Sequence, residues 1–452
     1  MKNLTTFLFV LCLFALFSYE NAEKKPPTPK GFLYTTTNGE GMNQVLKLDR
    51  YSDGSLINET AYSTNSKGGA NTGAGGDAKG DFDAQNAIQI IGDYLLNVNA
   101  GGNTISVFTI DKPTGSLVFK SNVNSEGVRP VSIAYTKKTG SNNTYWVVVG
   151  NQWNNPNVQK DGANIERYPN DAFHAADLES PHESDRVRNI ALFSFDALNG
   201  NLTPEKVLDT YVRENGGPSC VSFSDDGTKL AVSTWGIAHF STEKTSLDEQ
   251  HASRVYVYDF ADGSVSGERY FEEEGIAGSI GFNWAKGGNN TLHVSNFNLT
   301  PNKRNNSLTV LKDNGRAVKK SANHNTAGTD DIDEACWTLL NPDGNKLYVA
   351  SFGANVISSF DVDGGGNIVS DVRATSRGDN APAGDTKDMY ITPDNKYLYV
   401  LGAFQSFSIN RFDISTSGKI RYKDQVSLNT TKESKGNAGE YNFLGLAGYD
   451  VE

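Results

Sequence analysis

Cysteine is scarce. Three occur in 452 residues; Cys12 lies in the N-terminal apolar run, so Cys220 and Cys336 are what remains, and a disulfide-dense scaffold is excluded. Aligning the Asp-Gly turns puts these two cysteines on opposite faces of different repeats, and a disulfide between them is not expected. Positive charge is also in short supply. With 41 Lys and Arg against 53 Asp and Glu, the formal net charge is −12, which argues against nucleic acid or an anionic membrane surface as partner, because both reward clustered Lys and Arg. Beyond the N-terminus no apolar run approaches bilayer-spanning length. Catalytic signatures are missing too: no Gly-x-Ser-x-Gly elbow and no His-Glu-x-x-His motif occurs, so serine-hydrolase and zincin chemistry find no support. The glycines from Gly68 to Gly76 lack the Lys-Ser/Thr of a phosphate loop and read as a flexible connector.

Repetition is what the chain has instead. Ala335 to Val362, ACWTLLNPDGNKLYVASFGANVISSFDV, holds an apolar run, a Pro-Asp-Gly turn, a second strand, a Gly turn and an alternating third strand. Turn residues flanked by β-branched and aromatic residues in alternation define an antiparallel meander. The phrase recurs as CVSFSDDGTKLAVS from Cys220 and MYITPDNKYLYVLGAFQSFSINRFDI from Met389, with looser copies at Asn86, Val131 and Ser279. Copies at this period, lengthened by insertions, predict a β-propeller of four-stranded antiparallel blades.

The first strands, GFLYTTTNG from Gly31 and QVLKLDR after it, lack an inner strand, whereas NFLGLAGYDV, Asn442 to Val451, has no partner of its own. Pairing them closes the ring and removes two exposed edges, which gives seven blades. Residues 1–22 read as a secretory signal peptide, with Lys2 before the apolar run Phe7 to Phe17, and residues 23–30 as a Pro-rich leader. The propeller occupies 31–452, with inserts at 151–187 and 235–253. The protein is therefore expected to be secreted, extracellular and monomeric. Sequons at Asn58, Asn142, Asn201, Asn289, Asn298, Asn305 and Asn429 permit glycosylation.

Four blade motifs in order, VNAGGNTISVFTIDKPTGSL, VRPVSIA, EACWTLLNPDG and PDNKYLYVLGA, resemble the secreted seven-bladed lactonase-like propellers, relatives of bacterial 6-phosphogluconolactonase, fungal carboxymuconate lactonising enzyme and the Tyr-Val-Thr-Asn repeat proteins. The resemblance runs from about Gly31 to the end. It implies a lactone hydrolase or lactonising cycloisomerase. One departure stands out: where the phosphogluconolactonase branch carries Pro-His-x-His, this chain has Gly-Pro-Ser-Cys-Val at Gly217 to Val221.

Aligning blades on their turns places Arg129, Gly217, Glu334 and Asp385 at one equivalent position, just before each inner strand and facing the mouth of the central channel. Asp331 and Asp333 precede Glu334, and Lys387 and Asp388 follow Asp385. Crowded carboxylates raise one another's pKa, so Glu334, Asp385 and Asp388 are the catalytic candidates, with Arg129, Lys387 and Trp337 as substrate-binding residues. Their bland alternative is a solvated rim around a water-filled channel. His174 and His182, among Asp171, Asp177, Glu179, Glu183 and Asp185, fit no compact zinc template, and neither metal nor cofactor is expected. Trp153, Trp235 and Trp284 read as packing residues before sugar-stacking ones. Two functions follow: acid-base opening or closing of a lactone (or isomerisation of a related carboxylate) at the channel mouth, or a non-catalytic extracellular propeller binding a small molecule, glycan or protein.

Overall fold

The computed structural model describes residues 28–39, 41–69, 84–152, 157–159, 188–211, 216–236, 238–240, 252–274, 276, 278–287, 290–297, 307–326, 334–378, 382, 384–403, 405–429 and 443–451. The proposed signal segment, most of the leader, the acidic residues Asp331 and Asp333, and His174, His182 and Trp153 lie outside them.

Among the described residues the strands form seven four-stranded antiparallel sheets and no helix. Blades 2 to 7 begin with the inner strands Ile88–Ile91, Pro130–Lys137, Pro218–Phe223, Phe282–Trp284, Ala335–Leu340 and Thr386–Ile391. Blade 1 takes its inner strand from the other end of the chain. Leu444–Asp450 pairs antiparallel with Gly31–Thr36, running from Gly31 opposite Asp450 to Thr36 opposite Leu444. Arg50, almost wholly buried, pairs with Asp450 and fastens this seam.

The repeated turns fold alike for a local reason. Gly227 and Gly344 hold left-handed φ values of 67° and 75°, and Asn395 takes the same conformation at 57°, a region that Gly enters freely and Asn tolerates. Each N–H closes the turn onto the residue three earlier, Ser224, Asn341 or Thr392. The side-chain oxygens of those three residues then accept the N–H groups that open the next strand: Ser224 from Lys229, Asn341 from Lys346, Thr392 from Tyr397.

The core lies between neighbouring blades. Leu96, Val107, Ile133, Val149 and Phe193 pack blade 2 on blade 3, and Leu48, Tyr399, Leu401 and Leu446 pack blade 7 on blade 1. Since each fully buried Leu, Val or Phe stabilises by about 1.5–3 kcal/mol, the ring is held by every blade-to-blade contact, including the one made by the C-terminal strand. Cys220 and Cys336 are both buried.

Candidate functional site

The two ends of the channel differ, and the inner strands define them. At the end where these strands begin, Arg129, Gly217, Gly278, Glu334 and Asp385 are equivalent: each carbonyl accepts the N–H of the residue that leaves the second strand of its blade, namely Gln152, Trp235, Phe297, Phe352 and Ala403, at 2.8–3.2 Å. A register shift follows at the start of the inner strands of blades 3, 4, 6 and 7. Arg129 and Glu334 hold positive φ at this position, 56° and 49°. For side chains of that size the left-handed region is costly, and such residues concentrate at functional sites. Asn103 Oδ1 accepts the Arg129 N–H at 2.9 Å and helps fix the turn. The Glu334 carboxylate lies over Gly353, where an added Cβ would come within 2.5 Å of Oε2.

The arc between these two charges is filled from neighbouring turns. A Cβ on Gly217 would meet the Gln152 carbonyl at 2.2 Å, and one on Gly278 would meet the Trp235 ring at 2.0 Å. Trp235 is fully buried, and Trp284, also buried, donates its indole N–H to the Ser222 carbonyl; both pack. The inserts meet at this end, because Asn157–Gln159 of the first forms a parallel pair with Ala238–Phe240 of the second.

Asp385 is held in a buried ion pair. Its Oδ2 is 2.6 Å from Nη2 of Arg377, and both side chains are fully buried. Burial pushes its pKa up, but attraction to Arg377 and hydrogen bonds from Ser406 and the Gln405 N–H outweigh burial and leave it below the usual value. An acid locked in this way is a structural ion pair, and carboxylate crowding does not raise its pKa. Nothing in the local sequence singles out Arg377, because the pair joins the end of blade 6, just after Arg373–Ser376, to the start of blade 7, just before Thr386–Ile391.

The channel is not an open, water-filled tube. Ala84, Gln85 and Asn86 cross it and bond to the inner strands around them. Trp337 Nε1 donates to the Ala84 carbonyl at 2.9 Å, Gln85 N–H to the Ser219 carbonyl at 3.2 Å, Ser132 Oγ to the Gln85 carbonyl at 2.6 Å, and Gln85 Nε2 to the Phe282 carbonyl at 3.0 Å. Asn86 Nδ2 reaches the Val221 carbonyl at 3.2 Å and lies 3.6 Å from Cys220 Sγ. Trp337, expected to bind substrate, is fully buried and supports the crossing segment. Lys387, also expected to bind substrate, is fully buried, with Nζ 5.7 Å from the Trp337 ring centre.

Asp388 lies beyond this plug, on a pocket of about 270 Å³ at the end where the inner strands finish. None of Arg129, Glu334, Asp385, Lys387 or Trp337 lines that pocket, so the structure separates Asp388 from the mouth residues it was expected to join. Burial raises its pKa to about 7 against the lowering effect of the Met389, Asn86 and Leu446 backbone N–H groups and of Lys387. The nearby Cys220 thiol is pushed up to about 12, chiefly by burial. Among the described residues no group of His, Cys, Asp and Glu is arranged to hold a metal ion.

No protein-family profile matches the chain, and no curated protein matches it. Solved structures do. The periplasmic gluconolactonase of Pseudomonas aeruginosa superposes with a TM-score of 0.59 at 14% identity, covering 92% of this chain and 99% of that one. A protein from Lactobacillus plantarum gives 0.57 at 14% identity, covering 93% and 99%. A putative 6-phosphogluconolactonase from Bacteroides fragilis gives 0.54 at 12% identity, covering 92% and 97%. Identity this low carries the fold and nothing finer, and that fold is the seven-bladed propeller of the gluconolactonase-like proteins.

Proposed function

We propose that the protein is exported and opens or closes a lactone ring at the channel mouth that carries Arg129 and Glu334. The observation that carries the reading is the shared strain: at equivalent ring positions, two large charged residues hold left-handed backbone, beside the end of the channel where the two inserts pair. A lactone carbonyl needs a nucleophile and a proton carrier. In this reading the Glu334 carboxylate takes a proton from water as the water oxygen adds to the carbonyl carbon. The ring C–O bond then breaks, and the same proton passes to the leaving alkoxide to give the hydroxy acid. Arg129 orients the substrate through its carboxylate or the carbonyl oxygen. Export rests on the N-terminal segment read from sequence and accords with the periplasmic origin of one structural neighbour.

A second reading has an observation behind it. At Gly217 to Val221, where the phosphogluconolactonase branch carries histidines, Ser219 and Val221 are fully buried, and Ser219 Oγ donates to the Ser279 carbonyl at 2.7 Å. These residues act as structural supports, which favours a propeller that binds a ligand, glycan or protein without chemistry. A pH-stat screen of the purified protein over γ- and δ-lactones separates the two. Saturable acid release from one class supports the enzyme; no turnover of any lactone assigns the fold to binding.

A further inference from the structure

The geometry points to a second site, at the opposite end of the channel from Arg129 and Glu334, which binds a small organic ammonium ion against Asp388. The pocket there is about 270 Å³, just under the roughly 300–1,000 Å³ usual for small-ligand sites, and suits a correspondingly small ligand. Its floor is Gln85 and Asn86, its apolar wall includes Ile90 and Leu339, and the phenol rings of Tyr135 and Tyr390 complete the lining. Asp388 is the one carboxylate in that lining, and neither Lys nor Arg is part of it.

The hydrogen-bonding balance selects the ligand. The side-chain donors at the floor are spent: Gln85 Nε2 on the Phe282 carbonyl, Asn86 Nδ2 on the Val221 carbonyl, Thr338 Oγ1 on Gln85 Oε1. One acceptor is left over: Asn283 lines the same pocket with a buried Oδ1 that has no partner. Asp388, 6% exposed, accepts the backbone N–H groups of Met389, Asn86 and Leu446, but those donors carry no charge, and the lining supplies no cation to its ionised form. A buried carboxylate and an unmatched amide oxygen call for a ligand that donates and carries positive charge. Aromatic faces add cation–π attraction, and an ammonium with a short apolar tail also covers Ile90 and Leu339. The net charge of −12 favours approach of a cation. Lactone chemistry at the mouth is on the other side of the Ala84–Asn86 crossing, so the two sites do not share groups.

Charge state gives the site a pH dependence. The groups facing Asp388 are the buried Lys387, the Cys220 thiol, and the phenols of Tyr135 and Tyr390; the phenols and the thiol are neutral near neutrality, so the carboxyl itself is the group that titrates there. An ammonium binds its ionised form, and affinity falls as the pH drops below about 7.

Calorimetric titration with phenethylammonium chloride tests this, with 2-phenylethanol and 3-phenylpropionate as neutral and anionic counterparts. The ammonium binds at pH 8 at least about tenfold more tightly than either counterpart, and Asp388→Asn removes about that factor. Affinity also declines on acidification to pH 5.5. Tyr135→Ala, at a ring already 38% exposed and therefore safe for folding, weakens binding severalfold and keeps the test decisive if Asp388→Asn misfolds. Equal affinity for the alcohol, no heat with phenethylammonium, or an ammonium affinity unmoved by Tyr135→Ala and by acidification overturns the assignment.

Discussion

Arg377 and Asp385 form an ion pair at 2.6 Å with neither side chain exposed to solvent. Arg377 also donates to Thr386 Oγ1 at 2.9 Å, which binds the loop before blade 7 to its inner strand. Removing one partner strands the other charge in the interior. Arg377→Met is expected to cost about 3–5 kcal/mol, and the double variant Arg377→Met with Asp385→Leu to cost less, as urea denaturation of both will show. Because the pKa of folded Asp385 lies below its ordinary value, its contribution is present above that value and lost as pH falls through the folded one. The acid limb of the stability curve below about pH 4 is therefore flatter in the double variant.

Histidine acts in a higher window. His293 is fully buried, and its Nε2 donates to the Gly366 carbonyl at 2.8 Å. Burial, opposed by that hydrogen bond and assisted by His324, depresses its pKa to about 4. The folded state thus resists protonation that the unfolded chain accepts. Stability from this group is complete above pH 6.5 and declines by about 3 kcal/mol as pH falls to 4; His324, also depressed by burial, adds to the same window. His293→Gln is expected to flatten the slope between pH 6.5 and 4.5 in denaturant melts, and an unchanged slope assigns it elsewhere.

Ring closure predicts a third outcome. Deleting residues 443–452 removes the inner strand of blade 1, including the fully buried Phe443 and Leu444, and leaves Arg50 without Asp450. The loss amounts to several kcal/mol, a large part of a typical 5–15 kcal/mol. A truncated protein melting within about a degree or two of the full chain contradicts closure by this strand.

The crossing segment supplies a fourth. Gly281 must be glycine for steric reasons: an added Cβ would sit 2.2 Å from Gln85 Oε1, an atom already accepting the Thr338 N–H at 3.0 Å. Gly281→Ala is expected to destabilise by about 1–3 kcal/mol through overpacking. Trp337→Phe strips the donor from the Ala84 carbonyl and costs a similar amount, about 1–3 kcal/mol. Both variants address one network, so their effects do not add, which a double-mutant cycle in urea measures.

What was legible in sequence follows from how local each signal is. The Asn341 to Gly344 and Ser224 to Gly227 turns declare themselves through residues three apart, and the partnerless strand near Leu444 declares itself by having no neighbour. The equivalence of Arg129, Gly217, Glu334 and Asp385 follows from those turns by counting. Asp388 shows where counting stops. It is three residues from Asp385, yet the register shift between Thr386 and Met389 and the passage of Ala84 to Asn86 through the channel put it in a different compartment. No pattern near Asp388 encodes a segment arriving from blade 2, nor does anything near Asp385 reveal Arg377.

The function proposed for the mouth stands or falls on Glu334 and Arg129. On whichever lactone the screen identifies, Glu334→Gln is expected to lower kcat by roughly 10²- to 10⁴-fold with KM little changed. Arg129→Ala acts mainly through KM, since an orienting charge contacts ground state and transition state alike. Both replacements are at partly exposed positions, and melting curves confirm that each variant is folded. The decisive measurement is kcat for Glu334→Gln beside kcat for Asp388→Asn. A collapse in the first with turnover retained in the second places the chemistry at the mouth; wild-type turnover by folded Glu334→Gln contradicts it.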